Sequence, residues 1–182
     1  KKALVEAGGD LEEARKILRK KGLAAAASKA GRATTEGLVV VHAHPSAAVL
    51  LEVNCETDFV ARTEAFRQFA DKLAERIAAH DAFGETRTGE GSDVAELSWP
   101  TEPTVAVAVA QLVATLKENI QVRRFVRLVP RPGERFASYV HGNGRIGVLV
   151  GARGGDDELR RDIAMHVAAS DPRFASRAEV TP

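Results

Sequence analysis

The sequence predicts an α+β fold, in which helices pack against antiparallel sheets. Three observations predict it: a strand-strand-helix unit that occurs twice, a helical segment at the amino terminus, and a helix and a strand between the two units. A chain of 182 residues buries roughly 70% of its unfolded surface on folding, so it can form a core without disulfides. Cys55 is the single cysteine, which excludes an internal disulfide framework.

Residues 1–22 have the pattern of two short helices separated by a Gly-Gly pair. Asp10 suits the N-cap of the second helix, and Gly22 is typical of a helix end. This helical module is too small to bury a core alone. We interpret residues 23–36 as a linker to the main body, although the first part of this segment could also continue the helix.

The main body contains two segments that repeat each other. The aligned residues are Val41-His42 with Val140-His141 and 49–51 with 148–150, without a gap. Each copy predicts a β-hairpin, with Pro45-Ser46 and Asn143-Gly144 at the turns. An amphipathic helix follows each hairpin. Its apolar positions are Phe69, Leu73 and Ile77 in the first copy and Leu159, Ile163 and Val167 in the second.

The first copy carries about nine extra residues between its second strand and its helix. These extra residues lie in the neighbourhood of the segment 54–62. Because the scaffold is repeated and this segment is not, we predict that the function of the chain depends on it.

Between the two copies we expect a polar, Gly-bearing stretch at 84–93, a helix at 105–118, an outer strand at 121–129 and a bend at 130–133. The strand and bend carry one basic cluster, Arg123, Arg124, Arg127 and Arg131, with Phe125 interleaved. A ribosome-surface or nucleic-acid role is one interpretation of such a cluster. However, alternation puts Arg123, Phe125 and Arg127 on one face, which favours a half-buried strand.

The net charge of +1 gives no argument for a nucleic-acid or membrane partner, so a partner would be recognised by local shape. Phe59 is an aromatic residue in an otherwise polar segment; it either inserts into a partner or folds back onto its own core. Asp58 either caps the following helix or breaks hydrogen bonds of a partner, and capping is the more common role of Asp at such a position.

The side chains suggest two candidate chemical sites, a cysteine nucleophile and a histidine metal site. Cys55 would need a neighbouring base to act as a nucleophile, and the spacing selects none of the five histidines, so we interpret it as a small core residue. His42 and His44 share a strand face but have no third ligand motif nearby, so no metal site is predicted. His166, judged by spacing alone, faces solvent.

Residues 53–62, Val-Asn-Cys-Glu-Thr-Asp-Phe-Val-Ala-Arg, closely resemble the signature of the elongation factor Ts family. The supporting segments are 1–4 with 9–10, 29–32 with 36–37, 139–150 and 163–170. The resemblance covers nearly the whole chain.

The resemblance implies a guanine nucleotide exchange factor that carries out no bond chemistry and uses no cofactor, metal or catalytic residue. Its partner would be the GTPase elongation factor Tu, from which it releases GDP so that GTP can rebind. The exchange element corresponds to Thr57, Asp58, Phe59 and Val60. In the family the Asp-Phe pair approaches the GTPase beside its Mg²⁺ site, and the Phe wedges between two helices.

Two further contacts are implied by the resemblance. His166 would touch another helix of the GTPase and help to shift its phosphate loop. Lys1 would be the edge of an amino-terminal module that touches the nucleotide domain near the bound base. Neither contact involves nucleic acid or a membrane, and ribosome association is a further possible interaction.

The resemblance also implies a division into domains. We expect a UBA-like helical module at 1–22 whose first helix precedes Lys1, a linker at 23–36, a core subdomain at 37–129 with the exchange loop 54–62, and a second core subdomain at 130–182 that would continue into a coiled coil.

Lys117 departs from the family pattern, which usually has Gly before its Glu-Asn pair, and we expect that Gly to permit close packing. This departure suggests a diverged lineage, such as an organelle-encoded pathway. The location is therefore either the bacterial cytoplasm or the interior of a mitochondrion or plastid. The alternative function is a structural descendant of the fold that forms a stable part of a ribosome-associated assembly; an intact segment around Asp58 and Phe59 favours the exchange factor.

Overall fold

The structure is a computed structural model and describes residues 1–44, 46–174 and 176–180. The helices are α1 Lys2–Glu6, α2 Leu11–Lys29, α3 Asp58–Ala61, α4 Glu64–Ala78, α5 Gly91–Val94, α6 Val105–Leu116 and α7 Asp157–Ser170. The strands are β1 Glu36–His44, β2 Ala47–Cys55, β3 Arg87–Glu90, β4 Ile120–Leu128, β5 Glu134–His141 and β6 Ile146–Arg153. The strand pairs are antiparallel, and the predicted α+β class is confirmed.

The amino-terminal helices α1 and α2 are separated where the sequence predicts. Gly8 and Gly9 adopt φ values of 61° and 92°, which residues with a Cβ rarely adopt. Asp10 is the N-cap of α2, and its Oδ1 accepts a hydrogen bond from the Glu13 N–H at 3.0 Å.

The predicted helix end at Gly22 is wrong, because α2 continues to Lys29. Gly22 is buried where α2 packs against α6. A Cβ at this position would lie 3.2 Å from Nε2 of Gln111 and 3.4 Å from the carbonyl oxygen of Ala110. The glycine therefore serves the close approach of two helices rather than a helix end.

The larger sheet has the strand order β1-β2-β4-β3. The predicted first hairpin is confirmed, with a register from Glu36 opposite Cys55 to His44 opposite Ala47. Its predicted turn includes Pro45, which lies outside the described residues. The prediction of an outer strand at 121–129 is wrong, because β4 lies between β2 and β3. The polar stretch 84–93 contains β3 and α5, which were not predicted.

Strand β3 escapes prediction because it is short and has no apolar alternation. Its Gly89 lies under the ring of Phe125, where a Cβ would come within 2.4 Å of Cζ. The missing side chain of Gly89 lets this buried ring lie against β3.

Helix α4 and the inward face of β2 form the centre of the core. The predicted stripe of α4, Phe69, Leu73 and Ile77, is buried as expected. It packs in one cluster with the alternate residues of β2, Val49, Leu51, Val53 and Cys55. Among the described residues, no helix has the length and apolar character needed to cross a membrane.

The basic strand β4 is half-buried, as predicted. Phe125 and Arg127 are buried, but the prediction that Arg123 shares their face is wrong: Arg123 is exposed and lies at a shift in the register between β2 and β4. The guanidinium of Arg127 donates to the carbonyl oxygens of Ile77 and Ala78, each at 3.2 Å. Arg127 therefore serves the carboxyl end of α4 and does not belong to a surface basic cluster.

The second hairpin, β5-β6, turns through residues 142–145. Asn143 and Gly144 have φ values of 57° and 92°, which confirms the predicted turn residues. This turn docks on the edge strand β1: the Val39 N–H donates to the Gly144 carbonyl at 2.7 Å, and Arg145 pairs with Glu36 at 2.7 Å.

The apolar stripe predicted for the helix after this hairpin is wrong. In α7, Leu159 is 52% exposed and Ile163 is 40% exposed, whereas Arg160 and Ala164 are buried. Arg160 occupies the inward position because its guanidinium donates to the carbonyl oxygens of Gly154 and Gly155, at 2.8 and 2.6 Å. An alignment with the first copy could not reveal this polar anchor.

Candidate partner-binding loop

The segment between β2 and α4 is a capped turn. Thr57 is the N-cap of α3, and its Oγ1 accepts from the Val60 N–H at 3.4 Å. Thr63 caps α4 and also donates from its hydroxyl to the Val60 carbonyl at 2.8 Å. Each end of the short helix α3 is thus held by a threonine.

Phe59 projects from this capped turn into solvent. It is 78% exposed, the highest value among the large hydrophobic side chains of the described residues. The next two residues, Val60 and Ala61, are buried in the core cluster. Of the two interpretations of Phe59, the structure therefore agrees with a projecting ring and not with a ring folded onto its own core.

Asp58 does not have the capping role that its residue type favours. Thr57 caps α3 and Thr63 caps α4, so the capping interpretation of Asp58 is wrong. Its carboxylate instead pairs with Arg62 at 2.7 Å, one helical turn later. Asp58 is thus half-buried, and its carboxylate is paired with a neighbouring cation.

A second segment, which follows α6, holds the start of the loop. The Glu118 carboxylate accepts from the backbone N–H groups of Glu56 and Thr57, at 3.1 and 3.0 Å. It also accepts from the Thr57 hydroxyl at 2.5 Å. Lys117 precedes it in the left-handed conformation, with φ 67° and ψ 13°. This backbone turn ends α6 immediately before Glu118.

The contact is reciprocal. Oε1 of Glu56 accepts from the Asn119 N–H at 2.6 Å and pairs with Arg32 at 3.4 Å. The buried side chain of Asn119 donates to the carbonyl oxygens of Arg32 and Ala30, at 2.8 and 3.4 Å. We call Glu56, Thr57, Glu118 and Asn119 the loop clasp.

The loop clasp was missed from sequence. Its two halves are far apart in the chain, and no periodicity relates them. The one available indication was a Glu-Asn pair just after a helix, which by residue type alone suggests a turn.

Cys55 lies at the base of the loop and is fully buried. Its thiol donates to the Thr57 carbonyl at 3.1 Å. Burial, with a contribution from the negative charge of Glu118, raises the pKa of the Cys55 thiol to about 11. The protonated thiol is a poor nucleophile, which agrees with its interpretation as a core residue.

The six predicted partner-binding residues lie on three parts of the chain. Thr57, Asp58, Phe59 and Val60 come together in the loop, whereas His166 is exposed on α7 and Lys1 is exposed just before α1. His44 has a local contact, with Nδ1 2.8 Å from Oγ of Ser46. Over 1–44, 46–174 and 176–180, no three His, Cys, Asp or Glu side chains are grouped to hold a metal ion.

Comparisons with known proteins agree on one family. A family model described as Elongation factor TS matches residues 56–182. The chain is similar to Elongation factor Ts of Tolumonas auensis, with 41% identity over 100% of this chain and 59% of the relative. The relative from Aquifex aeolicus has 43% identity over 96% and 62%, and that from Methylococcus capsulatus has 47% over 94% and 57%. The chain thus spans between 57% and 62% of the length of these bacterial relatives.

Proposed function

This chain belongs to the elongation factor Ts family, and from that premise we propose that it binds elongation factor Tu carrying GDP and promotes release of the nucleotide. The observation that carries the proposal is Phe59, an aromatic side chain 78% exposed on an anchored one-turn helix. An aromatic ring held outside the core in this way is suited to fill a pocket of a partner.

The mechanism requires binding energy alone. A GTPase holds GDP through backbone N–H groups, a lysine and Mg²⁺, and small movements of these groups remove much of the affinity. Phe59 would separate two helices of the GTPase beside the Mg²⁺ site. Asp58, which is half-buried next to it in the chain and pairs with Arg62, would approach the Mg²⁺ site together with Phe59. GTP could then bind the vacated site.

The remaining residues have supporting roles in this proposal. Thr57 and Val60 hold the turn that presents Phe59, one as a cap and one as a buried anchor. His166, exposed on α7, would contact a second helix of the GTPase and help to shift its phosphate loop. Lys1 would lie in an amino-terminal contact with the nucleotide domain. No catalytic residue, cofactor or metal is required.

We extend the proposal to the organisation of the chain. Residues 1–22 would form a UBA-like module, 23–36 a linker, and 37–129 and 130–182 two core subdomains built on one repeated unit. The linker boundary falls inside α2, which continues to Lys29. The first hairpin closes at the pair His44–Ala47 and the second at the pair His141–Ile146. The second turn is therefore longer than the first, and the ungapped alignment of the two hairpins is wrong.

A location in the bacterial cytoplasm is supported by the bacterial relatives, and a mitochondrion or plastid is the other location proposed. The alternative function, a stable part of a ribosome-associated assembly, would leave the exposed aromatic ring of Phe59 without a role.

The experiment uses elongation factor Tu loaded with a fluorescent GDP and measures its release rate with and without the protein. We expect acceleration that Phe59→Ala reduces by about a hundredfold, because the wedge acts by positioned contact. Phe174→Ala is the matched control, since Phe174 is also exposed and lies outside the loop. An equal loss in both variants, or no acceleration by the unmodified protein, would contradict the proposal.

A further inference from the structure

We propose that Glu118 is a positioning residue for nucleotide exchange: through the loop clasp it fixes the orientation from which Phe59 enters the partner. This inference rests on the proposed exchange function. Glu118 would not touch the nucleotide or its metal, and its effect would pass through Thr57 and α3.

The contacts of Glu118 all lie at the start of the loop. Its carboxylate accepts from two consecutive backbone N–H groups and from the hydroxyl of Thr57. Hydrogen bonds to an ionised acceptor are stronger than those between neutral groups. One side chain therefore fixes both the backbone and the side chain of the residue that begins α3.

The Thr57 hydroxyl transmits this constraint to α3. Because it donates its hydrogen to Glu118, a lone pair remains for the Val60 N–H, from which it accepts at 3.4 Å. The hydroxyl orientation set by Glu118 is thus the orientation that caps the helix. Phe59 lies between these two bonded residues.

The reciprocal half of the clasp keeps Glu118 itself in place. The Asn119 N–H donates to Glu56 at 2.6 Å, and the Asn119 side chain donates to the Arg32 carbonyl at 2.8 Å. The loop, the end of α6 and the segment after α2 are therefore joined by one hydrogen-bond network. Networks of this kind restrict motion when each member is satisfied.

The first experiment measures amide hydrogen exchange in the free protein. In Glu118→Ala we expect the amides of Thr57 and Val60 to exchange about tenfold faster or more, because local opening no longer breaks the clasp bonds. Glu118→Gln keeps one acceptor oxygen and the side-chain shape, so its exchange rates should lie between those of the unmodified protein and those of Glu118→Ala. Glu75→Ala, which removes an exposed carboxylate from α4, is the matched control and should leave these amides unchanged.

The second experiment measures GDP release as a function of exchange-factor concentration. Glu118→Ala should lower the maximal rate about tenfold or more, with Glu118→Gln in between and Glu75→Ala unchanged. In the Phe59→Ala background, Glu118→Ala should add less than about a twofold effect, because both changes remove the same interaction. A thermal melt of each variant verifies that the fold is retained.

The outcomes separate this inference from the proposed function. If Phe59→Ala abolishes acceleration but Glu118→Ala does not alter it, the positioning role is wrong and the exchange function stands. If the fold-losses in release rate of Glu118→Ala and Phe59→Ala multiply in the double variant, Glu118 does not act through Phe59, and the inference is again overturned. If the protein accelerates nothing while Glu118→Ala still frees the loop amides, the exchange function fails and the clasp is structural only.

Discussion

At the scale of single residues, the loop shows how an exposed aromatic side chain is maintained. Burying a Phe side chain would contribute about 1.5–3 kcal/mol to folding, so leaving Phe59 in solvent forgoes that stabilisation. The ring stays outside because Val60 and Ala61 occupy the adjacent core positions and Thr57 and Thr63 cap the flanking turns. The apolar surface of Phe59 then remains available for association with a partner.

The left-handed conformation of Lys117 gives a physical reason for the Gly that the family pattern leads us to expect at this position. We expected that Gly to permit close packing, but Lys117 is exposed and its φ is 67°. A residue with a Cβ pays about 1–2 kcal/mol in this conformation, and Gly does not. Backbone geometry, and not contact, would therefore favour Gly at this position.

We predict that Lys117→Gly raises the free energy of unfolding by about 0.5–1 kcal/mol, since relief of strain exceeds the added entropy of the unfolded chain. Urea denaturation measures the difference. Lys72→Gly, an exposed site inside α4, is the control and should lower stability by about 1 kcal/mol. If both changes destabilise equally, the strain at Lys117 has no energetic consequence.

At the scale of elements, β4 organises the larger sheet. It pairs with β2 on one side and β3 on the other, and it places Phe125 in the core and Arg127 beneath the end of α4. Three carbonyl oxygens, of Ile77, Ala78 and Gly84, accept from the guanidinium of Arg127. The last turn of a helix leaves carbonyl groups without internal partners, so this cation links helix, loop and sheet.

We predict that Arg127→Ala lowers the free energy of unfolding by about 3 kcal/mol, because it removes a buried side chain and its three hydrogen bonds. The Ile77 carbonyl would keep only the His80 N–H as its donor. Arg123→Ala on the same strand is the matched control; its side chain is exposed, so the change should remain within about 0.5 kcal/mol. Chemical denaturation of both variants measures these changes in the free energy of unfolding. A small effect at Arg127 would mean that water replaces the guanidinium.

Elements differ in how far the sequence could predict them. The second hairpin was predictable because Asn143 and Gly144 mark its turn by residue type, and α4 because its apolar stripe has a clear helical period. Strand β3 was not, since it is four residues long and is defined by its pairing with β4. The stripe of α7 failed because Arg160 takes the buried position through bonds to loop carbonyls.

At the scale of the whole molecule, the two hairpin units are joined by specific contacts. The turn 142–145 meets β1 through Val39 and Glu36, and a Cβ at Gly147 would come within 2.5 Å of the Val39 side chain. This close docking places the loop with Phe59 and the helix with His166 in one body. We propose that a partner is held at both places at once.

The candidate partner-binding loop was partly predictable at this scale. Local sequence identified Phe59 as a candidate, and the family resemblance supplied the role that we propose for it. The loop clasp was not predictable, because Glu118 reaches Thr57 only when β2 and β4 pair and α6 ends in the left-handed turn of Lys117. Contacts made by tertiary pairing carry no local pattern.

We propose that this chain and GDP each weaken the binding of the other to one GTPase, through coupled binding alone. The most direct measurement is calorimetric: the Kd of the protein for elongation factor Tu with and without bound GDP, and the Kd of GDP with and without the protein. We expect the protein to bind the nucleotide-free form more tightly than the GDP-bound form, by the same factor by which it weakens GDP binding. Equal affinity for the two forms would contradict it, because such a ligand cannot shift the equilibrium.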